Sequence, residues 1–284
     1  MTSNMPYTGQ HTAKLLSPKV WGQFPVKQAS CMVGGEYRIA DFSDAHRGFI
    51  DEPGQDNDAA ISSGDIRDLD SAKADIIIKR SLGDGTAVLD WTPVDGEDLV
   101  VGPQIVFDMS AGRPWAFECR ISDADASANS LFAGIVSLNG ANATTFDAYT
   151  TNNILIDGGT LFGNRALVGF QATEAAAVYG VVKAHATADA SSYQVSGSST
   201  AIKSGATMSA VATMADDTFV KLGLYSDGSR IRWYVDNAEV ANLAMGSTEL
   251  PTGDYDSSMV PVVAFNAAGT TLMQIHWCAC GYLV

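Results

Sequence analysis

The stretch Phe219-Val220-Lys221-Leu222-Gly223-Leu224-Tyr225-Ser226-Asp227-Gly228-Ser229-Arg230-Ile231-Arg232-Trp233-Tyr234-Val235-Asp236 sets the fold class. Two apolar-rich runs flank Asp227-Gly228, a pair that supplies the positive φ a tight hairpin turn needs. In the first run Phe219, Lys221, Gly223 and Tyr225 alternate with Val220, Leu222 and Leu224. On the return Ile231, Trp233 and Val235 share a face. A period of two puts alternate side chains on opposite faces of a strand. The stretch is therefore a β-hairpin with one face turned to a core. Asn237 then turns the chain into a third run, Glu239-Val240-Ala241-Asn242-Leu243.

The same pattern extends outward. In Trp115-Ala116-Phe117-Glu118-Cys119-Arg120-Ile121 the four odd residues form an apolar face, and Glu118 and Arg120 lie on the other. Further strands are expected over 75–79 and 86–91, around Gly83-Asp84-Gly85, and over 104–108, 131–136, 154–156, 167–170, 209–214, 260–265 and 271–284. The window 172–188 is rich in alanine, but Val178, Tyr179, Val181 and Val182 favour a strand over 177–183. In the last run Leu272, Gln274, His276, Cys278 and Cys280 alternate together, which would turn both thiols into one layer as small apolar groups. Many short strands with turn residues between them imply an all-β chain, a two-sheet antiparallel jelly-roll sandwich over residues 71–284.

Two segments precede it. Residues 31–70 read as a loop-rich connection whose acidic run Asp51–Asp58 is broken by Pro53 and Gly54, and so suits a solvated loop better than a calcium loop. Residues 1–30 read as an extended arm, because Pro6, Pro18 and Pro25 forbid a helix running through them. The arm's large apolar residues Tyr7, Leu15, Leu16, Trp21 and Phe24 need a surface, either the chain's own sandwich or a neighbouring subunit. They are the candidate partner contacts.

Composition narrows the function. The 284 residues carry a net charge of −15, which argues against a nucleic-acid partner, since phosphate backbones demand clustered cations. Residues 1–50 are mildly basic (Lys14, Lys19, Lys27, Arg38 and Arg47 against Glu36, Asp41 and Asp44), so the rest of the chain holds the acidity. A basic front end on an acidic body suits docking on an acidic scaffold. No apolar run has the roughly 20 residues of a membrane span. The N-terminus lacks the apolar stretch of a secretion signal, which implies synthesis in the cytoplasm. The four cysteines (Cys31, Cys119, Cys278 and Cys280) match no disulfide framework or zinc spacing.

The Trp115–Ile121 run, the following Phe132-Ala133-Gly134-Ile135-Val136, and the hairpin with its Tyr234-Val235-Asp236-Asn237 exit resemble the concanavalin A-like lectin/glucanase and laminin-G superfamily. There Asn237 replaces the usual glycine, and asparagine also tolerates the left-handed region. Within that superfamily the acidic, Ala/Gly/Ser/Thr-rich style and the proline-interrupted arm are similar to virion proteins of tailed bacteriophages. The resemblance implies a jelly-roll sandwich and a capsid decoration (cement) protein. Its partners would be the major capsid protein and copies of itself, as a dimer or trimer on the outer capsid surface, with no cofactor.

Catalytic patterns point the other way from the glucanases. Glucanases of this sandwich type set two carboxylates on one strand face, whereas Glu118 stands alone on its strand and Glu239 has no acidic neighbour two or four residues away. No G-x-S-x-G elbow accompanies the histidines at 11, 46, 185 and 276. The chain is therefore expected not to be an enzyme. The alternative is a carbohydrate-binding module of a tail or fibre. For that role Trp91, at a strand end before Pro93, is the ring expected to be exposed, while Trp115 and Trp233 are expected in the core.

Overall fold

The computed structural model describes residues 16–21, 35–41, 66–68, 76–80, 87–92, 98–103, 105–137, 166–172, 176–184, 192–198, 200–203, 210–248, 250–251, 257–266 and 269–283. Tyr7, Leu15, Phe24, the acidic run at 51–58 and the strand expected at 154–156 lie outside them. In chain order the elements begin with α1 (Pro18–Trp21), β1 (Gly35–Asp41), β2 (Ile66–Asp68), β3 (Ile76–Arg80), β4 (Ala87–Trp91), β5 (Asp98–Pro103) and β6 (Phe107–Asp108). There follow β7 (Trp115–Asp123), β8 (Ser130–Ser137), β9 (Leu167–Ala172), β10 (Ala177–Lys183), β11 (Ser192–Ser198), β12 (Thr200–Lys203) and β13 (Ala212–Thr213). The last are β14 (Val220–Ser226), β15 (Arg230–Val235), β16 (Ala238–Ala244), β17 (Ser258–Asn266) and β18 (Met273–Leu283).

They form two antiparallel layers. In the front sheet β3 pairs with β4, β4 and β1 share one side of β18, and β7, β14, β15 and β16 follow on the other side. In the back sheet β2 and β5 lead to β17, β8, β9, β10, β11 and β12. The all-β sandwich expected from the sequence is the fold. The strand preferred over a helix at 177–183 is β10. Strands β1 and β2 fall in the segment read as loop-rich. Of the strand expected at 104–108, Phe107 and Asp108 form β6, and Ile105 and Val106 lie outside it.

Between the layers lies one large apolar cluster. Trp115, Phe117, Cys119 and Ile121 of β7 meet Val220, Leu222 and Leu224 of β14 and Ile231, Trp233 and Val235 of β15 there. These are the faces that period-two alternation assigns. Trp233 also ties the layers with a polar bond, its indole Nε1–H donating to the Gly169 carbonyl of β9 at 2.8 Å. Trp91 departs from its expected exposure. It is 1% exposed and packs beside Phe265, because β4 lies inside the front sheet against β18 instead of ending at a free edge.

The alternation in β18 breaks at one residue. Ile275 opposes Ile121 and Trp277 opposes Arg120, so His276 is the extra residue of a β-bulge. Met273 and Ile275 reach the core before the bulge, and Cys278 and Cys280 reach it afterwards. Leu272, Gln274 and His276 therefore do not share a face with the two cysteines, as simple alternation had suggested. Among the described residues no helix is long and apolar enough to cross a membrane.

Replacing Trp233 by phenylalanine keeps a ring in the core and deletes the donor to Gly169. Losing one intramolecular hydrogen bond costs about 0.5–1.5 kcal/mol. The urea midpoint of Trp233→Phe should fall accordingly, with an unchanged transition slope.

Candidate functional site

The outward face of the front sheet carries the most unusual chemistry among the described residues. Ala116 and Glu118 of β7, Gly223 and Tyr225 of β14, Tyr234 of β15, and Trp277 and Ala279 of β18 point away from the core. Tyr225, Tyr234 and Trp277 are each 5% exposed or less, because α1 lies over them. Leu16, Val20 and Trp21 form a second apolar cluster with Ala116, Tyr225, Tyr234, Trp277 and Ala279. Of the two surfaces left open for the arm, its described part lies on the chain's own sandwich.

The sequence excluded a helix through this stretch, yet Pro18–Trp21 is one helical turn. Pro18 occupies its first position, where a missing N–H is harmless and a fixed φ is already helical. The exclusion holds for a helix interior and fails at its start. Val20 and Trp21 both donate their backbone N–H to the Ser17 carbonyl at 3.0 Å.

Glu118 fixes this turn to the sheet. Its Oε2 accepts from the Ser17 backbone N–H at 3.0 Å and from the Trp21 indole Nε1–H at 2.8 Å. Burial raises the Glu118 carboxyl above its ordinary range, partly offset by the bonds from Ser17 and Trp21 and by the Lys221 ammonium. Gly223, opposite Glu118 in the register, makes the close approach possible, since a Cβ there would lie 2.6 Å from Val20 Cγ2. The third anchor is Asn237. It adopts φ +67°, as a tight turn requires, and its Oδ1 accepts from the Lys19 N–H at 2.9 Å. Glycine could make the turn and could not make the bond.

The energies explain why polar anchors matter. Burying Leu16, Val20 and Trp21 stabilises the docked turn by roughly 1.5–3 kcal/mol each. Fixing the backbone of residues 16–21 costs about 1–2 kcal/mol per residue, which nearly cancels that gain. Hydrogen bonds at roughly 0.5–1.5 kcal/mol each then decide whether the clasp closes.

Around it several polar groups are engaged, while the Trp277 indole Nε1–H is buried without a partner. Asp227 accepts from the Ser229 N–H at 2.9 Å, the Ser229 hydroxyl at 2.6 Å and the Arg232 guanidinium at 2.8 Å. Burial would raise its carboxyl, but these bonds outweigh burial and hold it well below the usual range. This is the turn role that its position implied. Burial, then the Glu239 carboxylate, pushes the Tyr234 phenol up to about 12. Farther along β7, Arg120 contacts His276 Nδ1 and lies 4.3 Å over the Phe219 ring. A guanidinium can only donate, so Nδ1 is the acceptor and the bulged histidine is packed. Cys119, Cys278 and Cys280 are buried in the core outside any disulfide, and burial pushes the Cys119 and Cys278 thiols up. Among the described residues no group of three His, Cys, Asp or Glu side chains could hold a metal ion.

Glu118 and Asn237 stood out in the sequence, one as a lone carboxylate and the other as a replaced turn glycine. Their joint role was hidden because α1 is far away in the chain. The legible signal was an acid on the polar face of a strand whose other face is apolar.

Comparison with known proteins adds to the fold only. No protein-family model matches the chain, and no curated protein matches it. A protein of unknown function from Shewanella oneidensis MR-1 has a similar structure, at 11% identity and a TM-score of 0.51 over 100% of this chain and 97% of that one. A β-1,3-1,4-glucanase (lichenase) derived from a mouse hindgut metagenome aligns at 10% identity and a TM-score of 0.48, covering 86% and 98%. Peanut lectin aligns at 9% identity and a TM-score of 0.44, covering 88% and 98%. At such identities the likeness is one of sandwich architecture.

Asn237→Gly should leave the turn and the sandwich intact while loosening the clasp. Losing a bond of about 1 kcal/mol should speed trypsin cleavage after Lys19 roughly five-fold, with no change in the urea midpoint of the sandwich. Glu118 gives a second expectation, in pH. A group whose folded pKa is raised contributes stability that is complete below its unfolded pKa and is lost as pH rises through the folded value. The stability of the wild-type protein relative to Glu118→Gln should therefore fall as pH is raised from the ordinary glutamate range through the raised one. Paired urea titrations across that window measure it.

Proposed function

We propose that this chain is a non-catalytic assembly protein, a capsid decoration component of a tailed bacteriophage that binds the major capsid protein as a homo-oligomer. The observation that carries the proposal is the clasp. The front face, with its aromatic rings and its buried glutamate, is covered by the chain's own N-terminal turn, and Glu118 is bonded to that cover. A carboxylate in this position serves to hold structure together. The acidic body behind a mildly basic front end, and the phage-like style of the sequence, support the same reading.

The test uses purified full-length protein and phage shells that lack their decoration. Expected is saturable binding at a copy number set by the capsid lattice, counted in sedimented particles or by cryo-electron microscopy, and lowered by deletion of residues 1–30. Full occupancy by the folded deletion variant would remove the anchoring role of the arm. Shells that take up none of the full-length protein would defeat the decoration role itself.

A further inference from the structure

Strand β1 lies at the side of the front sheet. It pairs antiparallel with β18, from Gly35 opposite Leu283 to Asp41 opposite Trp277, and among the described residues it pairs with no other strand. Every second residue of such a strand turns its backbone N–H and C=O away from the neighbour it pairs with. A seven-residue edge of this kind is a template on which another strand can pair.

Register places the residues of β1 on the two faces of the sheet. Arg38 and Ala40 stand opposite Cys280 and Cys278, and with Glu36 they take the core side. Tyr37 and Ile39 stand opposite Gly281 and Ala279, on the side of the clasp. Charged residues on the core side of an edge strand discourage pairing with a neutral strand, which would leave them unmatched. A strand of complementary charge meets no such barrier.

The sequence of β1 complements itself. A two-fold axis perpendicular to the sheet keeps core side with core side and clasp side with clasp side. With that axis on Tyr37, Glu36 of each copy stands opposite Arg38 of the other, and Gly35 stands opposite Ile39. Moving the axis one residue either way sets Glu36 against Glu36 or Arg38 against Arg38. Like charges directly opposite one another are destabilising, whereas unlike ones stabilise a strand pair. The charges therefore select one register.

We infer that the β1 edge is a self-association surface, on which a second copy of this chain pairs its own β1 antiparallel about Tyr37 and joins the two front sheets. The inference rests on the homo-oligomer part of the proposed function and gives it a contact. Because the axis preserves the faces, both clasps lie on one side of the joined sheet. Two N-terminal segments on one side can meet one surface together. The paired stretch, Gly35 to Ile39 in each copy, is short, so association depends on concentration.

Sedimentation velocity of the purified full-length chain over a range of concentrations, with no shells present, reads the contact. The wild-type protein should form a dimer. Glu36→Arg and Arg38→Glu each turn both unlike pairs into like ones, and each should weaken self-association about ten-fold or more. Mixed in equal amounts, the two variants restore both unlike pairs and should dimerise again, which chains that had failed to fold could not do. A wild-type chain that stays monomeric, a dimer that both variants leave intact, or a mixture that stays monomeric overturns the contact. Shell binding by the wild-type chain reads the capsid role separately, so failure of the contact and failure of that role are told apart.

Discussion

In the middle of the front sheet both faces of the strands are buried, and this constraint shapes the rest. The inner face of β7 sends Trp115, Phe117, Cys119 and Ile121 into the sandwich. The outer face of the same strand lies beneath α1, where Ala116 and Glu118 are each 1% exposed or less. A carboxylate so placed has lost its water and must be given donors. Ser17 and Trp21 supply two. The N-terminal segment is therefore a structural partner of the sheet's centre, and small residues (Ala116, Gly223, Ala279) leave room for it.

The bulge at His276 belongs to the same arrangement. With unbroken alternation after Met273 and Ile275, Trp277 would point into the core and Cys278 out of it. One extra residue reverses this, so that two small thiols fill the interior and the indole of Trp277 lies under the clasp. Each choice is local, yet the two faces agree only if all are made together. Such agreement among neighbours is what gives a sequence one compact state.

The clasp and the end of the sandwich bury aromatic rings in two ways. On the front face, rings that would otherwise meet solvent are covered by the chain's own apolar residues, and the buried Glu118 carboxyl is bonded internally, though the Trp277 indole Nε1–H beneath them has no partner. At the end of the sandwich, rings from both layers (Phe107, Trp115 and Tyr282) pack on one another.

Much of the architecture was written in the residues themselves. The period of two in 115–121 and 219–235 assigned core and outer faces, Asp227-Gly228 marked a hairpin, and Asn237 marked a positive-φ turn, because these depend on local sterics and on the pleat. Leu16 and Trp21 were legible as side chains in need of a surface. Tertiary structure alone decided which surface. Glu118 and Trp21 lie far apart in the chain, and no local rule joins a lone strand carboxylate to an indole that distant. The burial of Trp91 and the flip of faces at His276 were likewise settled by which strands became neighbours. Register across a sheet is a long-range choice, fixed only when the layers close on one another.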